Sequence, residues 1–196
     1  MSITSYLHIL GCVTRNADLT REKLLLAATA EFAAHGAAGA RIDRIAERAG
    51  VNKRMIYAYF GSKERLFDAV LEQSLAQLAE DVPPTADDLP GYAGRLFDYL
   101  VDHPERHRLA LWRTLESSPP TEAETRATAE KLEVLSAARA HDDGLDPAAL
   151  LVFIMALVRA WPSTYGALAQ PTFADAAAQR ASVVEAVRRL TAGNRG

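Results

Sequence analysis

The chain holds 37 alanines against 11 glycines and nine prolines, and alanine has the highest helix propensity of any residue. Residues that favour strands, the β-branched and aromatic ones, are comparatively few. Over 196 residues this bias predicts an all-α protein of about nine helices, in one or two domains able to bury a core. Hydrophobic residues are 49% and charged residues 24%, a balance that excludes disorder as the main state. A single cysteine, Cys12, leaves no intrachain disulfide framework and no cysteine zinc site, and it fits a reducing cytoplasm. No apolar run approaches the roughly 18–20 residues of a membrane span. The nearest, 148–160, contains Arg159. The first 14 residues hold no Lys or Arg, so the apolar stretch 6–13 lacks the basic flank of a signal peptide.

The formal net charge of −3 is unevenly spread. Residues 1–62 hold eight Lys/Arg and five Asp/Glu, whereas residues 63–196 hold 14 and 20. A basic N-terminal third on an acidic remainder suggests different partners for the two parts.

Residues 1–18 read as an N-terminal extension without sustained periodicity. Thr20 stands where a helix N-cap belongs, followed by Leu24, Leu25, Ala28 and Phe32 at helical spacing and by Gly36 as a stop. A short helix over 41–49 carries Ile42, Ile45 and Ala46, and Gly50 breaks it. Asn52 caps the next helix, which carries Met55, Ile56, Tyr57 and Phe60. Gly61 ends that one, and Ser62 caps a long helix to about residue 81. Prolines between 83 and 90 form the first strong linker. Further helices are expected over 90–102, 104–117, 121–141, 147–169 and 173–192.

Three short helices with a tight turn between the second and third make a helix-turn-helix plan. Ala46 is small where two helices cross, and Gly50 can take the positive φ of the turn. Val51 and Ile56 pack back. The other side of the third helix then carries Asn52, Lys53, Arg54, Met55, Tyr57 and Tyr59, the phosphate partners and base-edge readers a major-groove helix needs.

At this point the residues 20–67 resemble the N-terminal DNA-binding domain of the tetracycline-repressor (TetR) family. The first-helix pattern is Arg21, Leu24, Ala27, Ala28, Phe32 and Gly36. The next pieces are Ile45-Ala46, Ala49-Gly50-Val51-Asn52-Lys53, Ile56-Tyr57, and Phe60-Gly61-Ser62-Lys63-Glu64 with Leu66-Phe67. His103-Pro104 also fits. The resemblance implies a DNA-binding domain at 19–62 and an effector-binding and dimerisation domain at 63–196. It implies a ligand-responsive regulator, most simply a repressor, and not an enzyme. The implied partners are double-stranded DNA with a palindromic operator, an unknown small-molecule effector and a second copy of the chain, with no cofactor and no membrane. Arg41, Arg44 and Lys63 join the DNA-binding set as phosphate contacts, Lys63 because a helix N-terminus also attracts phosphate. Phe97, Trp112, Phe153 and Trp161 are the expected effector-pocket residues. Three positions depart from the family pattern: Ala40 replaces a capping Thr, Arg54 a common Gly, and Met55 a common Thr.

Helix 147–169 is apolar nearly all round, with Leu150, Leu151, Phe153, Ile154, Leu157 and Val158, so a second surface must cover it. Together with the last helix it is the expected homodimer interface, as the resemblance also implies. His103 and His107 are four apart, but no third ligand accompanies them, so they read as a loop histidine and a surface histidine rather than a metal site. Glu122, Glu124, Glu130 and Glu133 read as a solvated helix face. The alternative to a regulator is an all-helical enzyme or scaffold that keeps the fold without binding an operator.

Overall fold

The computed structural model describes residues 3–116, 119–138, 145–164 and 175–192, with residues 3–16 described by backbone alone. Among them lie nine helices and no strand. They are α1 (Ile3–Gly39), α2 (Ile42–Ala49), α3 (Lys53–Phe60), α4 (Lys63–Asp81), α5 (Leu89–Asp102), α6 (Pro104–Leu115), α7 (Glu122–Ala138), α8 (Pro147–Ala160) and α9 (Ala176–Thr191). The all-α expectation holds. The chain divides into two compact units. Unit 1 is Met1–Leu71 with Arg108–Ser117, and unit 2 is Glu72–His107 with Ser118–Gly196.

Unit 1 is built around the apolar stripe of α1. Leu24, Leu25, Ala28 and Phe32 are buried against Ile42 and Ile45 of α2, Ile56 and Phe60 of α3, Leu66, Phe67 and Val70 of α4, and Leu109 of α6. The Phe32 and Phe67 rings meet edge to face at 4.9 Å, a favoured geometry for aromatic quadrupoles. The expected start at Thr20 is corrected: α1 already runs from Ile3, and Thr20 lies inside it. One reason is visible at Ala17, whose carbonyl accepts from the Tyr59 hydroxyl at 3.3 Å. That bond ties the segment before Thr20 to α3.

The glycine stops are where the sequence places them. Gly50 sits at φ 68°, and the amides of Gly50 and Val51 return to the Glu47 and Ala46 carbonyls. This is a Schellman motif, with Val51 packed against the core as the motif prefers. Gly36 breaks α1 at φ 67°. A β-carbon there would stand 2.9 Å from the Trp112 ring, so backbone conformation and space both require glycine.

In unit 2, α5 packs on α8 and α9, and α7 packs on α8. Leu89, Tyr92, Leu96, Phe97 and Tyr99 of α5 meet Leu135, Leu150, Ile154, Val158, Val183 and Val187 in one core. Asp88, Asp146 and Asp175 cap α5, α8 and α9 with side-chain oxygens on backbone amides, satisfying donors a helix start otherwise leaves open. α9 therefore begins at Ala176, after the expected position 173. Helix α8 ends at Ala160 and passes into a turn. The rest of the expected continuation, 165–169, falls outside the described residues. His107, read as a surface histidine, is instead buried at 4% exposure. Its Nε2 lies 3.2 Å from Ser163 Oγ.

Candidate nucleic-acid interface

The turn between α2 and α3 aims α3 outward. Asn52 has extended φ/ψ, and its Oδ1 accepts from the Arg54 amide at 2.9 Å. Ile56 and Phe60 anchor the inner face. What remains outside is Asn52, Lys53, Arg54 and Tyr57, all exposed, with Met55 partly covered. No residue of α3 is acidic, so nothing on the helix itself opposes a phosphate backbone. The Arg54 side chain has no partner among the described residues. Tyr57 is 45% exposed.

Lys53 is not idle in this state. Its ammonium lies 2.8 Å from Asp43 Oδ1 of α2. That hydrogen bond and the Asp43 charge hold the Lys53 pKa above its ordinary value. Both partners are exposed, so the pair is easily exchanged for a phosphate.

Tyr59 is placed differently from its neighbours on α3. It is packed against the unit 1 core, and its hydroxyl donates to Ala17, so it secures α1 rather than facing outward with Lys53 and Tyr57. Lys63 lies at the start of α4, and its Nζ donates to the Ala38 and Ala40 carbonyls at 3.3 and 3.4 Å. An ammonium here stabilises the carbonyl end of α1, where helix dipoles leave partial negative charge.

Arg41 is exposed and serves as the N-cap residue of α2, in extended conformation and without a side-chain cap. The missing capping hydroxyl has a substitute that sequence reading did not find. Glu31 of α1 is 3% exposed, and its Oε1 accepts from the Arg41 amide at 3.0 Å and from Arg44 Nε at 2.7 Å. Burial pushes the Glu31 carboxyl up, but the Arg41 amide and the Arg44 guanidinium outweigh it, so its pKa sits below the ordinary carboxylate value. The signal was the register: Glu31 continues the stripe of Leu24 and Ala28 at helical spacing, and an acid there must find partners. Arg44 is thus tethered at its base, with 41% of its side chain still exposed.

The four expected effector residues have different local surroundings. Phe97 is fully buried in the unit 2 core. Trp161 lies at its margin, with Nε1 donating to Ser182 Oγ at 3.0 Å. Phe153 is instead 44% exposed, because its position on α8 points away from the Leu150–Ile154–Val158 face. Trp112 belongs to unit 1. Its Nε1 donates to the Ala33 carbonyl at 3.2 Å, and Glu116 beside it accepts from the Ala37 amide at 2.8 Å. The pair therefore closes the break in α1. No helix among the described residues is long and apolar enough to cross a membrane.

Comparison with known proteins agrees with this geometry. Residues 24–70 match the model of bacterial regulatory proteins of the tetR family, and residues 88–189 match the tetracyclin repressor-like C-terminal domain. The HTH-type transcriptional repressor SCO4008 of Streptomyces coelicolor is 49% identical over 113 residues, 56% of this chain and 59% of the relative. The HTH-type transcriptional repressor NicS of Pseudomonas putida is 41% identical over 102 residues, 48% of each chain. The chain thus spans about half the length of the curated relatives it matches. The crystal structure of SCO4942 from Streptomyces coelicolor superposes with a TM-score of 0.78 at 38% identity, covering 90% of this chain and 99% of that one. Matched over both of its halves, the chain belongs to the tetR family of bacterial regulatory proteins.

Proposed function

We propose that this chain is a ligand-responsive transcriptional regulator of the cytoplasm, a repressor that binds a palindromic operator as a homodimer and leaves it when a small molecule occupies unit 2. The observation that carries the reading is α3: a capped, acid-free helix presenting Asn52, Lys53, Arg54 and Tyr57 to solvent. Arg54 reads a base edge in the major groove, since arginine to guanine is the commonest specific contact. Lys53, Tyr57, Arg41 and Arg44 meet phosphates and fix the register. Lys63 adds its one donor direction left over from the α1 carbonyls.

Homodimerisation rests on α8 and α9. Val152 and Phe153 are 63% and 44% exposed on α8, an apolar surface that a second copy would cover. Such a dimer places two α3 helices in successive major grooves, about 34–36 Å apart. The effector must bind the DNA-competent and released states unequally, or nothing shifts. The names of the two repressor relatives support the direction of regulation.

A gel-shift titration of the fragment upstream of the chain's own coding sequence tests the reading. The expected result is a salt-sensitive complex of two protomers per site. Absence of any complex at low salt favours an enzyme or scaffold that keeps the fold.

A further inference from the structure

Unit 2 carries basic side chains where a helical core ordinarily has none. His107 on α6 is buried, and Lys131 on α7 and Arg159 on α8 are partly buried. Helix packing and one hydrogen bond bring the elements that carry them together. Helices α7 and α8 are packed. His107 Nε2 lies 3.2 Å from Ser163 Oγ, and the Ser163 amide bonds back to the Arg159 carbonyl at 3.0 Å, one turn away. Burial lowers the His107 pKa, and the Arg159 charge lowers it further; burial and then Arg159 lower that of Lys131 in the same way. The Arg159 charge thus reaches both the His107 imidazole, which it helps to keep neutral, and the Lys131 ammonium.

What is missing among the described residues is the opposite charge. Among the described residues the Lys131 and Arg159 side chains have no hydrogen bond and no ion pair. Among the described residues Glu130, next to Lys131, opposes the lysine's loss of its proton. The Nδ1 atom of His107 is enclosed without a hydrogen-bond partner. Desolvated like charges repel strongly, and they persist in proteins where something pairs with them. Beside Lys131 a narrow cleft is lined by Leu75, Leu78, Val82 and Ala127, with Glu130 also on its wall, so apolar surface adjoins the lysine. Arginine with lysine and an imidazole is the donor set that recognises carboxylate and phosphate, the guanidinium by two parallel hydrogen bonds.

We infer that His107, Lys131 and Arg159 form an anion-recognition site in unit 2, and that it takes a small organic acid whose carboxylate or phosphate meets the three donors while its apolar part lies against the neighbouring helices. The inference rests on the reading of unit 2 as the effector-binding half and names the chemistry of that effector.

Thermal unfolding of the full chain at constant ionic strength tests it. The probes are sodium benzoate, sodium hexanoate and phenyl phosphate, with benzyl alcohol and hexanol as uncharged counterparts. The expected result is a saturable rise in Tm with the anions and none with the alcohols; the ranking of carboxylates against phenyl phosphate identifies the headgroup. Arg159→Met and Lys131→Met are expected to weaken the anion at least tenfold while leaving the ligand-free Tm equal or higher, since each removes an unpaired charge. A merely structural cation would lower that Tm. Should Arg159→Met fail to fold, Lys131→Met carries the test alone. Equal shifts from acids and alcohols, no shift from any anion, or undiminished anion affinity in the folded variants would overturn the site. Binding of the upstream DNA is measured alongside. Anion binding without operator binding keeps the site and sinks the regulator reading. Operator binding with no anion response keeps the regulator and sinks the site.

Discussion

Glu31 holds Arg44: a buried carboxylate on α1 accepts from the guanidinium Nε on α2 at 2.7 Å, and from the Arg41 amide at 3.0 Å through the same oxygen. One acid therefore fixes the start of the helix that precedes the recognition helix. Glu31→Leu leaves the Arg41 amide unsatisfied and is expected to destabilise unit 1 by about 1–3 kcal/mol. Glu31→Gln keeps an acceptor and is expected to cost less. Urea unfolding of both variants reads the difference, and equal costs would show that packing, not hydrogen bonding, is what Glu31 supplies. Because its folded pKa is depressed, this contribution is present above the unfolded carboxyl pKa and is lost as pH falls through the folded one.

Asp43 holds Lys53 at 2.8 Å, and under the proposed function it competes with DNA for that ammonium. Removing the competitor in Asp43→Asn is expected to tighten binding to every DNA sequence and to steepen its salt dependence. Lys53→Ala is expected to weaken all sequences alike and lower the salt slope by about one unit. Fluorescence anisotropy across a salt series measures both, and a change of sequence preference in either variant would contradict the phosphate role.

Arg54 is expected to behave differently. Arg54→Ala should cost roughly 1–3 kcal/mol on the operator and relax preference at one base pair in each half-site. If selected sites for wild type and variant share one motif, Arg54 does not read a base.

How far these roles are legible in the sequence depends on the kind of signal. Turns announce themselves locally: Gly36, Gly50 and Gly61 all have positive φ, and Asn52 and Ser62 both accept amides at helix starts. The apolar stripe of α1 is equally readable. Long-range partners are not. Nothing local says that Tyr59 turns to Ala17, that Trp112 seals the Gly36 break of α1, or that His107 is buried, because each outcome is set by an element 40 or more residues away. Phe153 shows the same limit: on an almost wholly apolar helix, periodicity cannot say which face meets its own core.

His107 gives a pH dependence with a definite sign. Its folded pKa is depressed by burial and by Arg159. The unfolded chain takes up the proton first, so stability holds above the unfolded histidine pKa of about 6.5 and falls as pH drops below it, by at most about 1.4 kcal/mol per pH unit. Chemical denaturation between neutral pH and the range where carboxylates begin to titrate measures the slope. His107→Gln is expected to flatten it, and an unchanged slope would place its origin elsewhere.

The exposed face of α8 predicts the assembly state. Phe153→Glu and Val152→Glu replace solvent-facing apolar side chains, so the fold is expected to survive while the dimer does not. Light scattering at micromolar concentration should give a wild-type mass near twice 21.3 kDa and a monomer for the variants. Variants that remain dimeric would move the interface off this face.

The proposed function requires α3 to read DNA as one of a symmetric pair. Selection of binding sites by the wild-type chain from random duplexes at low salt tests that most directly. It predicts enrichment of an inverted repeat whose half-site centres lie about one helical turn, 34–36 Å, or a multiple of it apart. Recovery of an unenriched pool, or of a motif with no two-fold symmetry, would contradict it.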